Sequence, residues 1–236
     1  MKAVLLAGGQ GMRLRPLTAR IPKPLMPLGD YTVIELLLHQ FARAGVDELL
    51  MCVCHQAAVI QARIGSGERY GLRVTYRHEE TPLGTVGPIR ACLPDLPERF
   101  LVANGDILCD LDFADLFQTS IDSKAPLTIA ACERRMSMDF GVLTIDPEGQ
   151  VRDFREKPTC SFWVNMGAYV MTREVLQYVP EGEAFGFDDL LHVLLEARVP
   201  VTTYPFHGHW LDIGRGEDFA RAQTEFDRYQ ERYLPK

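Results

Sequence analysis

The 236-residue sequence contains no run approaching the roughly 20 apolar residues that cross a bilayer. Its first apolar stretch, Ala3–Ala7, is too short for a signal-peptide core and runs at once into glycines. Together these absences lead us to expect a cytoplasmic protein with no membrane partner. Clustered Lys and Arg are also lacking: 25 basic residues face 32 acidic ones, for a formal net charge of −7. Nucleic acid is therefore excluded as an expected partner, because phosphate-backbone binding needs a basic patch. Cysteine is sparse and scattered, at Cys52, Cys54, Cys92, Cys109, Cys132 and Cys160. Cys52 and Cys54 stand two apart on an expected strand, which would turn them to one face. No further ligands follow at zinc spacing, so buried free thiols are the better reading. Internal repeats, low-complexity tracts and linkers are absent too. No Gly-Lys-Ser/Thr follows the glycine-rich loop, which rules out a P-loop, and the next helix comes too late for a dinucleotide fingerprint. No Ser-His or Cys-His arrangement is evident, so no covalent intermediate is expected.

The sequence does have enough apolar residues, 47%, to bury a sizeable core. Val4–Leu6, Glu48–Val53, Arg73–Tyr76 and Phe100–Ala103 read as strands. Between and after them Val33–Ala44, Gln56–Ile64, Val86–Cys92 and Phe113–Thr119 read as helices, with Gly45 and Gly65 as stops. Such alternation argues for a mainly parallel sheet with helices on both faces. Beyond about residue 125 the pattern changes. Leu127–Ala131, Gly141–Ile145, Val151–Phe154 and Val164–Met171 are closely spaced strand candidates, and Asp146-Pro147-Glu148-Gly149 reads as a hairpin turn. Helices at Arg173–Val179 and Asp188–Ala197, a strand at Val201–Pro205 and a closing helix at Arg215–Tyr229 complete the reading. The expected fold class is α/β: a Rossmann-like mixed, mainly parallel sheet flanked by helices. It forms one domain with two lobes, about 1–125 and about 126–236. A ligand is expected between the lobes, at the carboxyl ends of the parallel strands.

The strongest local signal is Leu6-Ala7-Gly8-Gly9-Gln10-Gly11-Met12-Arg13-Leu14-Arg15-Pro16, directly after the first strand. Glycines let backbone amides approach a polyphosphate that a Cβ would obstruct. Arg13 adds a fork of donors suited to phosphate oxygens. Ten residues later Lys23 stands between Pro22 and Pro24, which hold its backbone extended. Taken singly, the first segment is equally a glycine-rich turn and the second a solvated loop lysine.

Together they resemble the sugar-phosphate nucleotidyltransferase family, whose pattern is G-G-x-G-T-R-L-x-P-x-T followed by x-P-K-P. The resemblance continues in order through Pro82-Leu83-Gly84-Thr85, Asn104-Gly105-Asp106, Phe140-Gly141-Val142, Glu156-Lys157-Pro158, Val164-Asn165-Met166-Gly167-Ala168-Tyr169 and Trp210-Leu211-Asp212-Ile213-Gly214. Each piece is weak alone, and the ordered set is specific. One departure is Met12, which stands where the family usually has Thr. The resemblance implies the nucleotide-diphospho-sugar transferase fold, with Mg²⁺ held by Asp106 and Asp212. It implies that Arg13 and Lys23 hold the triphosphate and that Lys157 holds the sugar phosphate. Leu6, Ala7, Gly8, Gly9, Gly11 and Met12 would line the nucleotide, as would Pro82, Gly84 and Thr85. Asn104, Gly141, Glu156, Asn165 and Gly167 would meet the sugar. Asp188 would either approach the sugar or cap a helix.

In the family a residue five before the glycine of Pro82-Leu83-Gly84 faces the base, and here it is Glu79. A carboxylate only accepts hydrogen bonds. Guanine presents two adjacent donors, N1–H and the N2 amino group. Uracil and thymine present one donor flanked by carbonyls, and cytosine and adenine a donor beside a ring acceptor. GTP is therefore the favoured nucleotide, with Glu80 the candidate if the register slips by one. Mannose 1-phosphate or a manno-configured heptose 1-phosphate is the favoured sugar. The expected reaction is in-line attack of the sugar phosphate on the α-phosphorus with loss of pyrophosphate. The nucleophile is already an anion, so the work is positioning and charge neutralisation. Alternatives are a uridylyl-, thymidylyl- or cytidylyltransferase of the same fold, or a non-catalytic nucleotide-sugar sensor. A homodimer is compatible with the sequence but not demanded by it.

Overall fold

The computed structural model describes residues 1–19 and 21–234. Its first part runs β1 (Lys2–Leu6), β2 (Pro27–Leu28), β3 (Tyr31–Thr32), α1 (Val33–Arg43), β4 (Glu48–Val53), α2 (Ala57–Ile64), β5 (Arg73–His78) and α3 (Gly87–Ala91). Then come β6 (Arg99–Asn104), β7 (Ile107–Cys109), α4 (Phe113–Ser123), β8 (Leu127–Ser137), β9 (Val142–Ile145), β10 (Val151–Arg155) and β11 (Thr159–Thr172). The chain closes with α5 (Phe187–Glu196), β12 (Val201–Phe206), β13 (Trp210–Asp212), α6 (Gly216–Arg228) and α7 (Gln230–Tyr233).

Seven strands form the central sheet in the order β12-β8-β11-β6-β1-β4-β5. β1 pairs in parallel with β4 and β6, β4 with β5, and β8 with β12, while β11 runs antiparallel to both β6 and β8. The expected mixed, mainly parallel α/β sheet is therefore what forms. β1 shows why it is central. Ala3 and Leu5 face a core cluster shared with α1, α2 and α4, while Val4 faces a second cluster shared with α3 and α5. All three are fully buried, as a strand covered by helices on both faces requires. From β1 the chain builds outward to β4 and β5 on one side and returns to β6 on the other. That reversal leaves a crevice beyond the carboxyl ends of β1 and β6, where such sheets bind ligands.

A third core cluster lies beside this crevice and sets its walls. Leu14, Met26, Leu108, Leu211, Ile213, Phe219 and Phe226 pack together there. β13 pairs with β7 as a separate two-stranded ladder, Asp212 opposite Ile107. Neither short strand was expected from the sequence.

Three other differences have simple causes. Arg173–Tyr178 is a 3₁₀ helix, tighter than the α-helix expected. Cys54 lies one residue past the end of β4, so it does not share a face with Cys52, which instead reaches Cys92, Sγ to Sγ 3.8 Å. β8 and β11 run well beyond the expected strands as a paired ribbon, Glu133–Ser137 against Thr159–Trp163. The hairpin β9–β10 beyond it closes on the expected turn, where the Gly149 N–H donates to the Asp146 carbonyl at 3.0 Å. Among the described residues no helix is long and apolar enough to cross a membrane.

Candidate functional site

The crevice holds a cavity of about 670 Å³. That is within the range of roughly 300–1,000 Å³ usual for small-molecule and cofactor sites. Leu6, Gly8, Gly9, Gly11, Met12 and Arg13 line it from the loop after β1, and Lys23 from the turn before β2. Glu79, Pro82, Gly84 and Thr85 come from the segment after β5, and Asn104 and Asp106 from the end of β6. Thirteen of the expected site residues thus meet in one space. Gln10, Pro88 and Gly214 also line it; sequence reasoning did not single them out, although Gln10 and Gly214 sit inside segments it had marked. Ala7 is buried behind the loop, where its N–H donates to the Cys52 carbonyl at 2.8 Å.

Two glycines shape this wall. A Cβ on Gly8 would stand 2.8 Å from Glu79 Oε1 and 3.3 Å from Cys54 Cβ, so Gly8 is what lets the carboxylate come against the loop. Gly11 has φ +60°, and a Cβ there would meet the Thr18 methyl at 2.8 Å. Thr18 Oγ1 donates to the Gly11 carbonyl at 2.6 Å, closing the loop on itself. Leu14, in the 3₁₀ turn Met12–Leu14, is buried in the third cluster and anchors the turn that carries Arg13. The flanking Met12 is 65% exposed, so its side chain is turned out along the wall and not packed into the loop.

Glu79 is held by the Leu83 N–H, which donates to Oε2 at 3.1 Å. Burial pushes its carboxyl above the usual range, and that one hydrogen bond only partly offsets the effect. Oε1 keeps its lone pairs towards the cavity beside Gly8. Glu80 is exposed and does not line this space.

Two carboxylates come together at the other strand ends. The Ile213 N–H donates to the Asp106 carbonyl at 3.0 Å, directly beside the β7–β13 ladder, so Asp106 and Asp212 are neighbours across it. Leu211 and Ile213 are buried on either side of Asp212, which alternation therefore turns outward. Desolvation, then the negative charge of Asp106, push the Asp212 carboxyl up, while Lys23 and Arg13 pull it back. Lys23 Nζ is bonded directly to Asp106 Oδ2. Arg13 makes no ion pair among the described residues, which leaves its guanidinium available. A pair of neighbouring carboxylates, the charge of Asp106 acting on Asp212, is a donor set that fits a divalent cation. Mg²⁺ takes one or two protein carboxylates and completes its shell with water and substrate phosphates. No group of three potential metal ligands occurs among the described residues.

The remaining expected residues lie around the rim and on the ribbon. Gly167, φ +76°, packs against the side chain of Asn104. Asn165 spends its amide locally, donating to Tyr169 Oη at 2.8 Å and accepting from the Gly167 N–H at 2.9 Å, and so shapes the irregularity in β11. Gly141 and Glu156 are adjacent on the hairpin, with Glu156 Oε2 3.1 Å from where a Gly141 Cβ would stand. Lys157 is exposed, with φ +42°. Asp188 is exposed at the start of α5 and is not its cap. Gly186 holds the cap position, and its N–H donates to Asp189 Oδ2 at 2.8 Å. These six residues, Gly141, Glu156, Lys157, Asn165, Gly167 and Asp188, do not line the nucleotide-sized cavity.

The sequence model of the family described as Nucleotidyl transferase matches residues 2–228. A mannose-1-phosphate guanylyltransferase of Mycobacterium tuberculosis is 33% identical over 233 residues, 96% of this chain and 64% of that protein. A UTP–glucose-1-phosphate uridylyltransferase of Synechocystis is 30% identical over 241 residues, 94% of this chain and 62% of that protein. This chain thus spans somewhat under two thirds of the length of these relatives. Among solved structures, HddC from Yersinia pseudotuberculosis superimposes with a TM-score of 0.75 at 26% identity, covering 95% of this chain and 99% of that one. The same protein complexed with GMP-PN matches equally well.

Proposed function

This chain belongs to the nucleotidyl transferase family, and we propose that it joins a nucleoside triphosphate to a sugar 1-phosphate, releasing pyrophosphate, with GTP as the nucleotide. The observation that carries this reading is one cavity containing both a tethered acceptor carboxylate, Glu79, and the cations Arg13 and Lys23 beside two carboxylates. Residues of about 1–125 bind the nucleotide, and those of about 126–236 bind the sugar phosphate.

Arg13 and Lys23 hold the triphosphate and stay with the leaving pyrophosphate. Backbone amides of the Gly8–Arg13 loop approach the phosphates where Gly8 and Gly11 leave room. Lys157 holds the phosphate of the sugar, whose oxygen attacks in line. Gly141, Glu156, Asn165 and Gly167 shape the place of the sugar ring, and Asn104 joins that region to the nucleotide cavity. Asp106 and Asp212 would hold Mg²⁺, which would supply neutralisation of phosphate charge there. No proton need be removed from the nucleophile, so the protein lowers the barrier by bringing two polyanions together in a fixed geometry.

Guanine is favoured because Glu79 offers only acceptors, and guanine alone matches them with two adjacent donors. The resemblance to the Mycobacterium mannose-1-phosphate guanylyltransferase supports GTP and mannose 1-phosphate, and a manno-configured heptose 1-phosphate is the other acceptor we favour. The similarity to the Synechocystis uridylyltransferase supports a second reading, in which UTP is used. A grid of nucleoside triphosphates against sugar 1-phosphates, read by pyrophosphate release, separates them. GTP with a manno-configured sugar 1-phosphate is expected to turn over fastest; a preference for UTP or dTTP would overturn the guanine assignment. Glu79→Gln is expected to lower kcat/KM for GTP by roughly 10- to 100-fold, the loss of a charged hydrogen-bond acceptor, with less effect on UTP.

A further inference from the structure

The bond between Lys23 and Asp106 joins a residue proposed to hold phosphate to one proposed to hold metal. We infer that Lys23 occupies Asp106 in the ligand-free protein as a resident counter-cation, so that a divalent ion gains the site only when the triphosphate draws Lys23 away. The inference rests on the reading of Asp106 and Asp212 as the metal-binding pair.

Lys23 is not a casual surface partner. Its side chain is only 10% exposed and that of Asp106 only 25%. Pro24, Leu25 and Met26 are buried immediately after it, so its backbone is pinned. The stem of Lys23 passes the phosphate loop, its Cβ lying 3.3 Å from where a Gly11 Cβ would stand. The ammonium therefore stands between the loop that receives phosphates and the carboxylate that receives metal. A lysine suits such a role, being a compact charge on a flexible four-carbon stem that can swing without backbone movement. Arg13, whose charge also reaches Asp212, makes no bond to either carboxylate. One carboxylate of the pair is neutralised and the other is not. A triphosphate outbids a single carboxylate for the ammonium, and the freed Asp106 then demands a cation. Nucleotide and metal are thereby coupled, each raising the affinity of the other by the same factor.

The test is titration of the nucleotide-free full chain with Mn²⁺, free ion being followed by electron paramagnetic resonance. Wild type is expected to bind Mn²⁺ weakly. Lys23→Met is expected to bind about tenfold more tightly, within the roughly 5- to 150-fold span of such couplings. Lys23→Gln, which keeps a polar head of similar reach, serves as a second neutral variant and is expected to behave likewise. Lys23→Arg retains the charge and is expected to match wild type. Arg13→Gln removes an equal charge from the same cavity without freeing Asp106, and is expected to raise Mn²⁺ affinity by clearly less than Lys23→Met, because Arg13 is bonded to neither carboxylate. Unchanged Mn²⁺ affinity in both neutral Lys23 variants, or an equal gain in Arg13→Gln, overturns the inference. Tight binding that survives Asp106→Asn in the Lys23→Met background is a different failure: it removes Asp106 from the metal site, and the proposed function loses that ligand.

Discussion

Glu79 carries a tension between folding and binding. Its carboxyl is raised by burial and has one donor, the Leu83 N–H, for company. A carboxyl whose folded pKa lies above its unfolded value adds stability when protonated, and that contribution is lost as pH rises through the folded pKa. Once ionised, Glu79 is therefore a cost to the fold, offset in part by the Leu83 N–H and further when a ligand presents donors. Glu79→Gln should raise the melting temperature of the ligand-free protein by a few degrees, about 1 kcal/mol for a chain of this size, while weakening GTP use. A lower melting temperature would show that the carboxylate is structural. The same shift predicts a pH dependence. As pH falls from 8 towards the top of the carboxylate range, Glu79 takes up its proton before an ordinary glutamate would, and KM for GTP should rise. In Glu79→Gln that rise in KM should be smaller, the remainder belonging to the raised Asp212 carboxyl.

At the scale of elements, α1 is tied down by one buried acid. Glu35, 4% exposed, accepts from the Thr32 N–H at 2.9 Å and caps the helix start. It also accepts from Arg63 Nε at 3.0 Å, Arg69 Nη2 at 3.1 Å and Tyr70 Oη at 2.8 Å. One carboxylate thus binds α1 to α2 and to the 3₁₀ turn Glu68–Tyr70. Burial alone would raise its pKa, but the bonds from Arg63, Tyr70 and Thr32 outweigh burial and hold it below the usual value. The stabilisation is then present above the ordinary glutamate pKa and disappears as pH falls through the lowered one. Both arginines are about half exposed, which discounts the ionic part. Glu35→Gln should cost about 2 kcal/mol in urea unfolding at pH 7, and the gap from wild type should narrow as the pH is lowered towards 4. A gap that does not change with pH would assign the loss to packing and not to charge.

The whole molecule divides its labour unevenly. The nucleotide-sized cavity draws its lining from residues 6–106 and from Gly214, and none from the ribbon or hairpin. Those outer strands stand apart, with Met136, Phe140, Leu143, Phe154, Phe162 and Trp163 each at least half exposed. A two-stranded hairpin is marginally stable by itself, so β9–β10 depends on the ribbon that carries it. Replacing Phe140–Arg155 by a short Gly-Ser turn should leave GTP binding, measured by calorimetry, within about twofold, since distant sites are nearly additive. Pyrophosphate release with the sugar 1-phosphate should fall by at least ~100-fold, because the second phosphate is no longer positioned. Equal loss of both would show that the nucleotide cavity extends onto the hairpin.

Much of this architecture is legible along the chain. The continuous apolar run of β1, the helical spacing of Val33–Arg43 with its stop at Gly45, φ +83°, and the turn at Gly149 are all local matters of periodicity and backbone freedom. The glycine-rich loop after β1 is legible for the same reason, because its glycines, Arg13 and Thr18 act within a dozen residues. What the sequence by itself determined was the alternation of elements, the loop after β1 and the identities of the charged groups. Only the tertiary structure decided which of those groups meet. β7 and β13 are three residues each, too short to announce themselves, yet their pairing sets Asp212 beside Asp106 from more than a hundred residues away. The Lys23–Asp106 bond spans 83 positions, and the place of Glu79 against Gly8 depends on β4 and β5 stacking outward from β1. Local preferences act over a few residues of sequence, whereas electrostatic pairing acts over a few ångströms of space, and only the order of strands in the sheet converts one into the other.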